Sequence, residues 1–500
     1  MPKPINVLLR ACACYSLLEQ RATSMELRDY QEDAVDGIRE GLRQVDRVFL
    51  SLPTGGGKTV IFCHIAQNAI KKGNKVLILV HRRELIFQTS TALTFLGVSH
   101  GVIAAGFKGN DESVQVASVQ TLVRRLHKVK FDPALIIIDE AHHAVAGSWA
   151  KVLNHFSKAR LLGVSATPQR LDKKGLDEHF DLLVQGPQVK ELINRGFLSP
   201  VRCFTLPTVL RRDLIAHKNG EFDLQEAAEE QKAFKLEGDA IKEYEKHCPG
   251  KPAVVFCCTI DHAEFVAEAF AEAGYKSACL SSRTSAEDRA SYIEKLGNGG
   301  LDILTSCNVI SEGTDIPIVT CGILMRPTES LSLYLQQVGR VLRIAPGKKQ
   351  AIIIDCVGNV ESHGLPQTVR DWSLEAPPKK ESAASVKICP DCFACLPNLE
   401  QVCPICGHEF IGQGGEAGEG EYLEVKRTDL VEVEESGELS PAEKRDRKRR
   451  ISNAGDDHQK LEALRREFGY KPGWVWQQQR RVRQNRNEYK RWKDDNWAFG

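Results

Sequence analysis

A glycine-rich stretch near the start of the chain, SLPTGGGKTV at residues 51–60, has the residue types that bind the phosphates of a nucleotide. Three consecutive glycines lack a Cβ, so the backbone can turn its N–H groups toward an anion at the start of the following helix. Lys58 would reach the β- and γ-phosphates, and the Thr59 hydroxyl would complete a Mg²⁺ shell. The strict pattern asks for a glycine where this chain has Leu52, so the match is partial, and an ordinary Gly-rich turn is the alternative. The predicted phosphate-binding residues are Thr54, Gly55, Gly56, Gly57, Lys58 and Thr59.

Two acidic residues at the end of a later apolar run, ALIIIDEAHH, supply what such a loop would need. Asp139 is expected to emerge from a buried strand, where its carboxylate would contact Mg²⁺. Glu140 could polarise the attacking water. A strand that ends in a solvated acidic turn is the alternative, which the loop about 80 residues upstream argues against. Together the two stretches predict hydrolysis of a nucleoside triphosphate.

Short apolar runs that alternate with helical patterns must position these residues. Before residue 200 the runs are RVFLSL, KVLILV, VQVAS, ALIIIDE and RLLGVSAT, and after it they are AVVFCC, SACLSS, DILTSC, CGILMRP and AIIIDC. Continuous β-branched runs are typical of parallel strands buried on both faces, with helices crossing over between them. We therefore predict an α/β fold with two tandem domains.

The order of the remaining motifs resembles that of the superfamily-two DExH/D helicases. The strings are LRDYQEDAV, DEAHH and GVSATP in the first half, and ILTSCNVISEGTDIP and YLQQVGRVLR in the second. The resemblance implies two RecA-like (P-loop NTPase) domains that hydrolyse ATP with magnesium and move along nucleic acid. It implies that Gln31 contacts the edge of the adenine base with Arg28 nearby, and that Gly313, Asp315 and Gln336 lie near the nucleotide. It implies that His142, Ser165 and Thr167 couple hydrolysis to movement.

Two arginines in the last motif could supply the positive charge that phosphoryl transfer requires. Charge on the γ-phosphate must be met by fixed cations, and an arginine finger is worth roughly 10³ to 10⁵ in rate. Gln336, Arg340 and Arg343 are spaced i, i+4 and i+7, which predicts one helix face. A basic surface helix is the alternative. Because the loop and the arginines lie in different halves, ATP is expected to bind between them and draw the domains together.

The same resemblance implies that Arg82, Gln120, Thr121 and Thr305 contact the nucleic-acid backbone, which would position the strand without reading its sequence. A finer resemblance, over residues 25 to about 410, is to the bacterial RadD-type DNA-repair helicases. It is carried best by ILMRPTESLSLYLQQVGRVLRIAPGKKQAIIIDCVGN. It implies action on single-stranded, forked or branched DNA in repair or recombination, with a repair-protein partner. Beyond about residue 412 the chain does not map onto that family.

Five of the sixteen cysteines lie close together in CPDCFACLPNLEQVCPICG. Cys389, Cys392, Cys403 and Cys406 form two C-x-x-C pairs, which predicts a structural Cys₄ zinc site because four thiolates leave no open position. Cys395 and His408 are alternative ligands outside the paired spacing. The other eleven cysteines are scattered through the chain, mostly in apolar segments, which predicts reduced core thiols in a cytoplasmic protein.

The C-terminal part of the chain has an uneven charge that the overall value of +1 conceals. Residues 413–440 carry a net charge of −7 and residues 441–500 one of +8, and four of the six tryptophans lie in the latter segment. Aromatic rings among cations suit base stacking and phosphate neutralisation. A small helical module with a mini-core and solvated charges is equally compatible with this pattern. The predicted nucleic-acid contacts are Trp474, Trp476, Arg480 and Arg481.

These patterns divide the 500 residues into seven segments. They are an extension that precedes a possible start at Met25 (1–24), two RecA-like domains (25–200 and 201–374), a linker (375–385), a zinc module (386–411), an acidic linker (412–440) and a basic tail (441–500). The charged composition and the lack of any apolar run near the ~20 residues that a bilayer requires predict no membrane partner.

The function predicted from the sequence is an ATP-dependent DNA helicase or translocase that uses magnesium and zinc. An RNA helicase with the same motor is one alternative, and a restriction-type or remodelling translocase without true unwinding is another. A nucleic-acid binding protein that does not hydrolyse ATP is disfavoured, because Lys58, Asp139, Glu140 and Arg340 are all present.

Overall fold

The computed structural model describes residues 26–107, 110–143, 147–170, 174–205, 212, 215–218, 220–233, 236–307, 318–376, 386–388, 395–397, 401–402, 409, 431–433, 450, 454, 457, 459–461 and 463–464. These residues fall into two compact units. One lies within Met1–Cys395 and Glu416–Glu434, and the other within Leu396–Gly415 and Glu435–Gly500.

The first domain of the larger unit is built on a seven-stranded parallel sheet with the order β3-β4-β2-β5-β6-β1-β7. Its strands are β1 (Arg47–Ser51), β2 (Val76–Val80), β3 (Gly101–Ile103), β4 (Val114–Ser118), β5 (Leu135–Asp139), β6 (Arg160–Ser165) and β7 (Leu182–Gln185). Its helices are α1 (Asp29–Gln44), α2 (Lys58–Lys71), α3 (Arg83–Phe95), α4 (Val119–Arg125), α5 (Gly147–His155) and α6 (Val189–Asn194). Short 3₁₀ turns lie at Leu126–Lys128 and Ala141–His143.

The second domain is built on a sheet with the order β12-β13-β11-β14-β15-β8-β18-β17-β16, of which the first six strands are parallel. Its strands are β8 (Val201–Thr205), β11 (Ala253–Phe256), β12 (Ser277–Leu280), β13 (Ile303–Ser306), β14 (Cys321–Leu324), β15 (Ala351–Asp355), β16 (Val386–Ile388), β17 (Cys395–Pro397) and β18 (Val431–Val433). A separate hairpin joins β9 (His217–Lys218) to β10 (Glu221–Phe222). Its helices are α7 (Leu224–Ala233), α8 (Leu236–His247), α9 (Ile260–Glu272), α10 (Ala286–Asn298), α11 (Leu331–Val341) and α12 (Asn359–His363).

Continuous apolar sequence explains why the central strands form. Strands β2, β5, β11, β13, β14 and β15 are buried at every position, as expected for parallel strands covered by helices on both faces. All ten runs identified from the sequence are strands, so the predicted tandem parallel α/β architecture is confirmed. Nine of the described cysteines are free, and all of these except Cys279 are buried, which confirms the prediction of reduced core thiols for them.

Within the smaller unit, the described residues include an antiparallel bridge between Val402 and Glu409. Helical positions occur at residues 450, 454, 459–461 and 463–464, where Leu461 and Leu464 are buried. In the part of the chain that the structure describes, no helix combines the length and the apolar character needed to cross a bilayer.

Candidate active site

The carboxyl ends of the parallel strands meet at one edge of the first sheet, and the predicted phosphate loop and acidic pair both follow strands there. This edge is where open α/β sheets bind ligands. It faces a cleft of about 1280 Å³, including its open side, to which both domains contribute. The cleft is lined by Thr54, Gly55, Gly57, Lys58, Thr59, Asp139 and Glu140 from the first domain and by Arg340 and Arg343 from the second.

The loop between β1 and α2 has the backbone shape that its glycines permit. Gly55 and Gly57 adopt φ angles of +90° and +87°, in the left-handed region that other residues rarely enter. A Cβ on Gly57 would lie 2.2 Å from Gln31 Nε2, so a side chain at this position would require Gln31 to move. Gly57 is also the residue before the first turn of α2, whose N-terminal amides no side chain caps among the described residues. Those amides are therefore available to an anion in the cleft.

Leu52, where the strict pattern has glycine, is fully buried beneath this loop. Its N–H donates to Ser165 O at 3.0 Å, which continues the pairing of β1 with β6. A Cβ on Gly56 would lie 2.8 Å from Leu52 Cγ, so the side chain fills the space under the turn. The substitution thus changes the packing below the loop and leaves the cleft-facing glycines in place.

Lys58, Thr59 and Asp139 fit a magnesium-bound nucleotide. Thr59 and Asp139 present hydroxyl and carboxylate oxygens, the ligands that Mg²⁺ prefers. Burial raises the pKa of Asp139 to about 7, with a further contribution from Glu140, while Lys58 opposes the rise. Burial also lowers the pKa of Lys58. Thr54 Oγ1, which is buried, has no hydrogen-bond partner in the described part of the chain, as expected where a polar ligand completes a site.

Glu140 has a strained backbone, and neighbouring side chains hold its carboxylate. Its φ of 53° is the single positive value among the described residues other than glycine, and such a conformation costs about 1–3 kcal/mol. Ser165 Oγ donates to Glu140 Oε2 at 3.2 Å, and His142 Nδ1 lies 2.7 Å from the same hydroxyl. Because the hydroxyl has one proton, His142 Nδ1–H donates to Ser165 when Ser165 donates to Glu140. The predicted coupling residues His142 and Ser165 therefore contact the carboxylate directly.

Two hydrogen bonds join this carboxyl edge to helix α11 of the second domain. Gln336 Nε2 donates to Glu140 Oε2 at 3.4 Å. Thr167 Oγ1 donates to Ser332 Oγ at 2.8 Å, and both residues are buried. The third predicted coupling residue, Thr167, thus bridges the domains. Ser332 was not predicted, and its type and position give no sequence signal.

Arg343 does not lie on the helix face with Gln336 and Arg340, so that part of the prediction is wrong. Helix α11 ends at Val341, and Arg343 instead forms an antiparallel bridge with Leu198. The chain leaves the helix because Ser199 N–H donates to Leu342 O at 2.7 Å and Lys348 Nζ donates to Arg343 O at the same distance. Both arginines nevertheless line the cleft.

Helix α11 approaches the phosphate loop so closely that a glycine is required between them. A Cβ on Gly339 would lie 2.5 Å from Thr54 Cβ. A glycine in a helix interior costs about 1 kcal/mol relative to alanine, so it marks such a contact in a sequence. The glycine before Arg340 is therefore a sequence signal of this close contact.

Gln31 is placed differently from the base-contacting role predicted for it. It is buried, its Nε2 donates to Gly56 O at 3.1 Å, and its Oε1 accepts the Arg28 N–H at 3.0 Å. Tyr30, which was not predicted, also donates to Gly56 O, at 3.0 Å. In this arrangement Gln31 supports the phosphate loop, whereas Arg28 lines the cleft.

Three predicted nucleic-acid contacts lie near the carboxyl ends of paired strands. Arg82 follows β2, and Gln120 and Thr121 follow β4. Gln120 is exposed, and its Nε2 donates to His81 O at 3.3 Å. Thr305 does not fit the same role, because it is fully buried in β13 and its Oγ1 donates to Ala263 O at 2.7 Å.

Several predicted residues lie outside the described residues. They are Gly313 and Asp315, the zinc candidates Cys389, Cys392, Cys403 and Cys406, and the tail residues Trp474, Trp476, Arg480 and Arg481. Residues 1–24 lie outside as well. Within the described ranges, no cluster of three or more His, Cys, Asp or Glu could hold a metal ion.

Comparison with protein families gives two matches that follow the two domains. Residues 24–170 match the family described as "Type III restriction enzyme, res subunit", and residues 238–345 match the "Helicase conserved C-terminal domain". The first match contains the phosphate loop and the acidic pair. The second contains the two arginines.

Two relatives extend this similarity over both domains. A protein of a Lactococcus phage, named only as a 51.5 kDa protein, is 35% identical over 363 residues, which are 72% of this chain and 77% of the relative. IRC3 of Saccharomyces cerevisiae, named provisionally as an ATP-dependent helicase, is 37% identical over 358 residues. That match covers 66% of this chain and 51% of IRC3, so the chain spans about half of the yeast protein.

A solved structure has the same fold. It is a fragment from Vibrio vulnificus, named provisionally as the HsdR subunit of a type I restriction enzyme, with a TM-score of 0.54 and 23% identity. The similarity covers 68% of this chain and 67% of the fragment. Taken with the family matches and the two relatives, the arrangement of the cleft places this chain in the superfamily-two helicases, as an ATP-hydrolysing helicase or translocase.

Proposed function

We propose that this protein is a DNA-stimulated ATPase that moves along DNA and acts in repair or recombination. The observation that carries the proposal is the cleft itself. It collects a lysine, two carboxylates and two arginines from two domains around a glycine-rich loop. Phosphoryl transfer needs this combination of metal ligands, a water-orienting group and fixed cations.

Each side chain has a distinct task in the proposed reaction. Lys58 and the first-turn amides of α2 bind the β- and γ-phosphates, and Thr59 and Asp139 would hold Mg²⁺, which neutralises developing charge when bound. Glu140 orients the attacking water. Its hydrogen bonds from Ser165 and Gln336 fix the carboxylate at 3.2 Å and 3.4 Å from those donors.

Arginines from the second domain complete the charge compensation. Arg340 and Arg343 line the cleft opposite the loop, and a fixed cation there stabilises the transition state more than the ground state. Loss of the γ-phosphate removes their partner, so the domains separate. Repeated closing and opening against a bound strand would move the protein along it.

DNA is the proposed track, supported by two observations. The family matched by residues 24–170 is named for a restriction enzyme, a class defined by its action on DNA. The basic segment 441–500, with a net charge of +8, would add phosphate contacts. The resemblance to RadD-type helicases favours single-stranded, forked or branched DNA and a repair-protein partner in the cytoplasm.

Zinc is proposed as a second metal. Cys389, Cys392, Cys403 and Cys406 have the paired spacing of a Cys₄ site. We expect the purified protein to contain one zinc ion per chain by elemental analysis. Cys389→Ser and Cys403→Ser should each abolish it, and zinc content unchanged in both variants would contradict the assignment.

Steady-state ATPase activity, measured alone and with single-stranded DNA, duplex DNA, forked DNA or RNA, tests the proposal. Strong stimulation by DNA and weak stimulation by RNA are expected. Stimulation by RNA alone would assign the motor to RNA. A variant ending at residue 440 should bind DNA more weakly, with a smaller salt dependence. An unchanged salt slope would favour the mini-core interpretation of the tail.

A restriction-type translocase that does not separate strands is the second candidate, favoured by the same family name. Displacement of streptavidin from biotinylated duplex DNA measures translocation. Release of a labelled strand from forked DNA measures unwinding. Displacement without strand release would select this second candidate.

A further inference from the structure

Lys348 lies beyond the end of helix α11, and none of the roles above uses its charge. Its side chain is half-buried, and its Nζ donates to Val319 O at 2.6 Å and to Val341 O. The same atom donates to Arg343 O at 2.7 Å. An ammonium group has three N–H donors, so each donor has one acceptor here. The lysine therefore joins the last residue of the helix, the segment before β14 and the backbone of an arginine that lines the cleft.

A charge at this place is unfavourable by itself. Burial lowers the pKa of Lys348 to about 7, and the charge of Arg343 contributes to the shift. In the part of the chain that the structure describes, no carboxylate pairs with the ammonium group. A buried charge without a counter-ion costs free energy, which an apolar side chain of the same length would avoid. The three backbone carbonyls are what accounts for a lysine here.

Two residues of the segment before β8 hold the same stretch of backbone. Leu198 forms an antiparallel bridge with Arg343, and Ser199 Oγ donates to Arg343 O at 3.2 Å. The Ser199 N–H donates to Leu342 O at 2.7 Å. The Arg343 carbonyl, which has two lone pairs, thus accepts one hydrogen bond from Ser199 and one from Lys348. The backbone is fixed at the point where the arginine side chain leaves it for the cleft.

The aliphatic stem of Arg343 passes close to the phosphate loop. A Cβ on Gly55 would lie 3.6 Å from Arg343 Cγ and 2.9 Å from Leu198 Cδ2. Burial lowers the pKa of Lys58, and the charges of Arg340 and Arg343 lower it further, so the three cations face one anion site. In such a site a displacement of about 1 Å can reduce a rate about 10²-fold. The position of the Arg343 backbone is therefore expected to affect hydrolysis.

Resting on the proposed function, we propose that Lys348 is a positioning residue for Arg343 in ATP hydrolysis. Its ammonium group holds the Arg343 carbonyl, and the fixed backbone directs the guanidinium to the γ-phosphate in the transition state. Lys348 is not among the described residues that line the cleft, so it acts through Arg343 and not on the nucleotide. A lysine that only caps helix α11 is the alternative, because cations near a helix C-terminus bind the last carbonyls.

ATP hydrolysis with saturating single-stranded DNA, together with equilibrium binding of ATP, tests this role. Lys348→Met, which keeps the length of the side chain and removes its donors, should lower kcat about 10- to 100-fold. The KM and the affinity for ATP should stay within about threefold, because a fixed cation on the γ-phosphate acts mainly in the transition state. An unchanged kcat in this variant would overturn the proposal.

The matched control is Lys349→Met. Lys349 is the next residue in the chain and is exposed, so the same change there removes a charge without touching helix α11. This variant should hydrolyse ATP like the wild type. Thermal unfolding of each variant shows whether it is folded at the assay temperature. If Lys348→Met unfolds, Lys348→Gln, which keeps two N–H donors without the charge, should still lower kcat, and an unchanged kcat there would equally overturn the proposal.

A double-mutant cycle with Arg343→Ala separates positioning from a merely structural role. If Lys348 acts through Arg343, then Lys348→Met should lower kcat by less than about twofold once Arg343 is alanine, because the two residues act as a unit. A full further loss in that background would overturn the proposal. A lower unfolding temperature with an unchanged kcat would select the helix cap instead. Failure of the proposed function is distinct, because it would appear in the wild type itself, as hydrolysis that DNA does not stimulate, and the cycle could still be measured on the basal rate.

Discussion

The two domains each contain a turn from a parallel strand into a long helix, and only one of these turns has the form of an anion site. Between β1 and α2 the turn ends in three glycines, and Gly57 directly precedes the helix in a left-handed conformation. Between β11 and α9 the turn is Cys257-Cys258-Thr259. There the Thr259 hydroxyl accepts the His262 N–H at 3.1 Å and caps the helix.

Side-chain packing also fills the space at the turn between β11 and α9. Gln231 Nε2 donates to Cys258 Sγ at 3.3 Å, and the thiol lies 3.3 Å from Met325 O. Burial raises the pKa of Cys258 to about 12 and lowers that of His262 to about 4, so both side chains are neutral near pH 7. A strand–turn–helix unit therefore does not make a phosphate site by itself. The site depends on leaving the first-turn amides uncapped.

The largest expected effect comes from removing the positive charge of Lys58, which follows the turn between β1 and α2. Lys58→Ala should reduce kcat/KM for ATP by about 10⁴ to 10⁵, the upper part of the range for a fixed cation on the γ-phosphate, because Lys58 also contributes to binding. Steady-state ATPase with saturating single-stranded DNA measures it. Lys71→Ala, an exposed lysine at the other end of the same helix, is the control and should be unaffected. Normal ATP turnover in Lys58→Ala would contradict the assignment of this loop as the phosphate-binding site.

The turn between β11 and α9 is filled by side chains, so the second domain is expected to act on the phosphate loop of the first domain through its arginines. Arg340→Ala should lower kcat by about 10³, while the affinity for ATP stays within about threefold. Fluorescent-nucleotide binding and single-turnover hydrolysis separate the two quantities. Arg202→Ala, in strand β8 away from the cleft, is the matched control. A variant of Arg340 that lost binding and kept the hydrolysis rate of bound ATP would contradict the finger role.

Much of this contrast could be predicted from sequence because it depends on local composition. The apolar runs predict every described strand that is buried at all positions, since strands covered by helices on both faces need continuous hydrophobic residues. The Gly-Gly-Gly-Lys-Thr string predicts the loop, because glycine enters the left-handed φ region that Gly55 and Gly57 occupy far more readily than other residues. Among the missed strands are β3, β7 and β8, which are short or partly exposed and whose runs are not continuously apolar.

Contacts between distant segments could not be predicted in the same way. The end of helix α11 at Val341, which takes Arg343 off the helix face, depends on the backbone of Ser199, more than 140 residues away in the chain. The burial of Thr305 and the use of the Gln31 amide by Gly56 also depend on tertiary packing. A motif gives the residue type needed at a site, whereas the packed fold decides which atoms of that residue remain available.

A smaller effect is expected from adding a side chain to the turn between β1 and α2 while Lys58 is retained. Gly57→Ala forces a side chain into a left-handed conformation, which costs about 1–2 kcal/mol, and directs its Cβ at Gln31. Affinity for ATP should fall about tenfold, measured by equilibrium binding. Gly73→Ala has a similar φ of +80° with no atom within 4 Å of its Cβ, so it controls for backbone strain alone. Equal ATP affinities in the two variants would show that the shape of the loop at Gly57 does not matter for binding.

The smallest effect is expected from removing the side-chain cap in the turn between β11 and α9. Thr259→Ala removes the hydroxyl that caps helix α9, which should cost about 1 kcal/mol of stability, whereas Thr259→Ser should retain the cap. Hydrogen exchange of the first-turn amides of α9 measures the local change. The KM for ATP should not move in either variant, because the turn contributes nothing to the cleft lining. If Thr259→Ala instead altered the KM, the two turns would not be independent, and the distinction between an open and a closed helix terminus would not explain where the nucleotide binds.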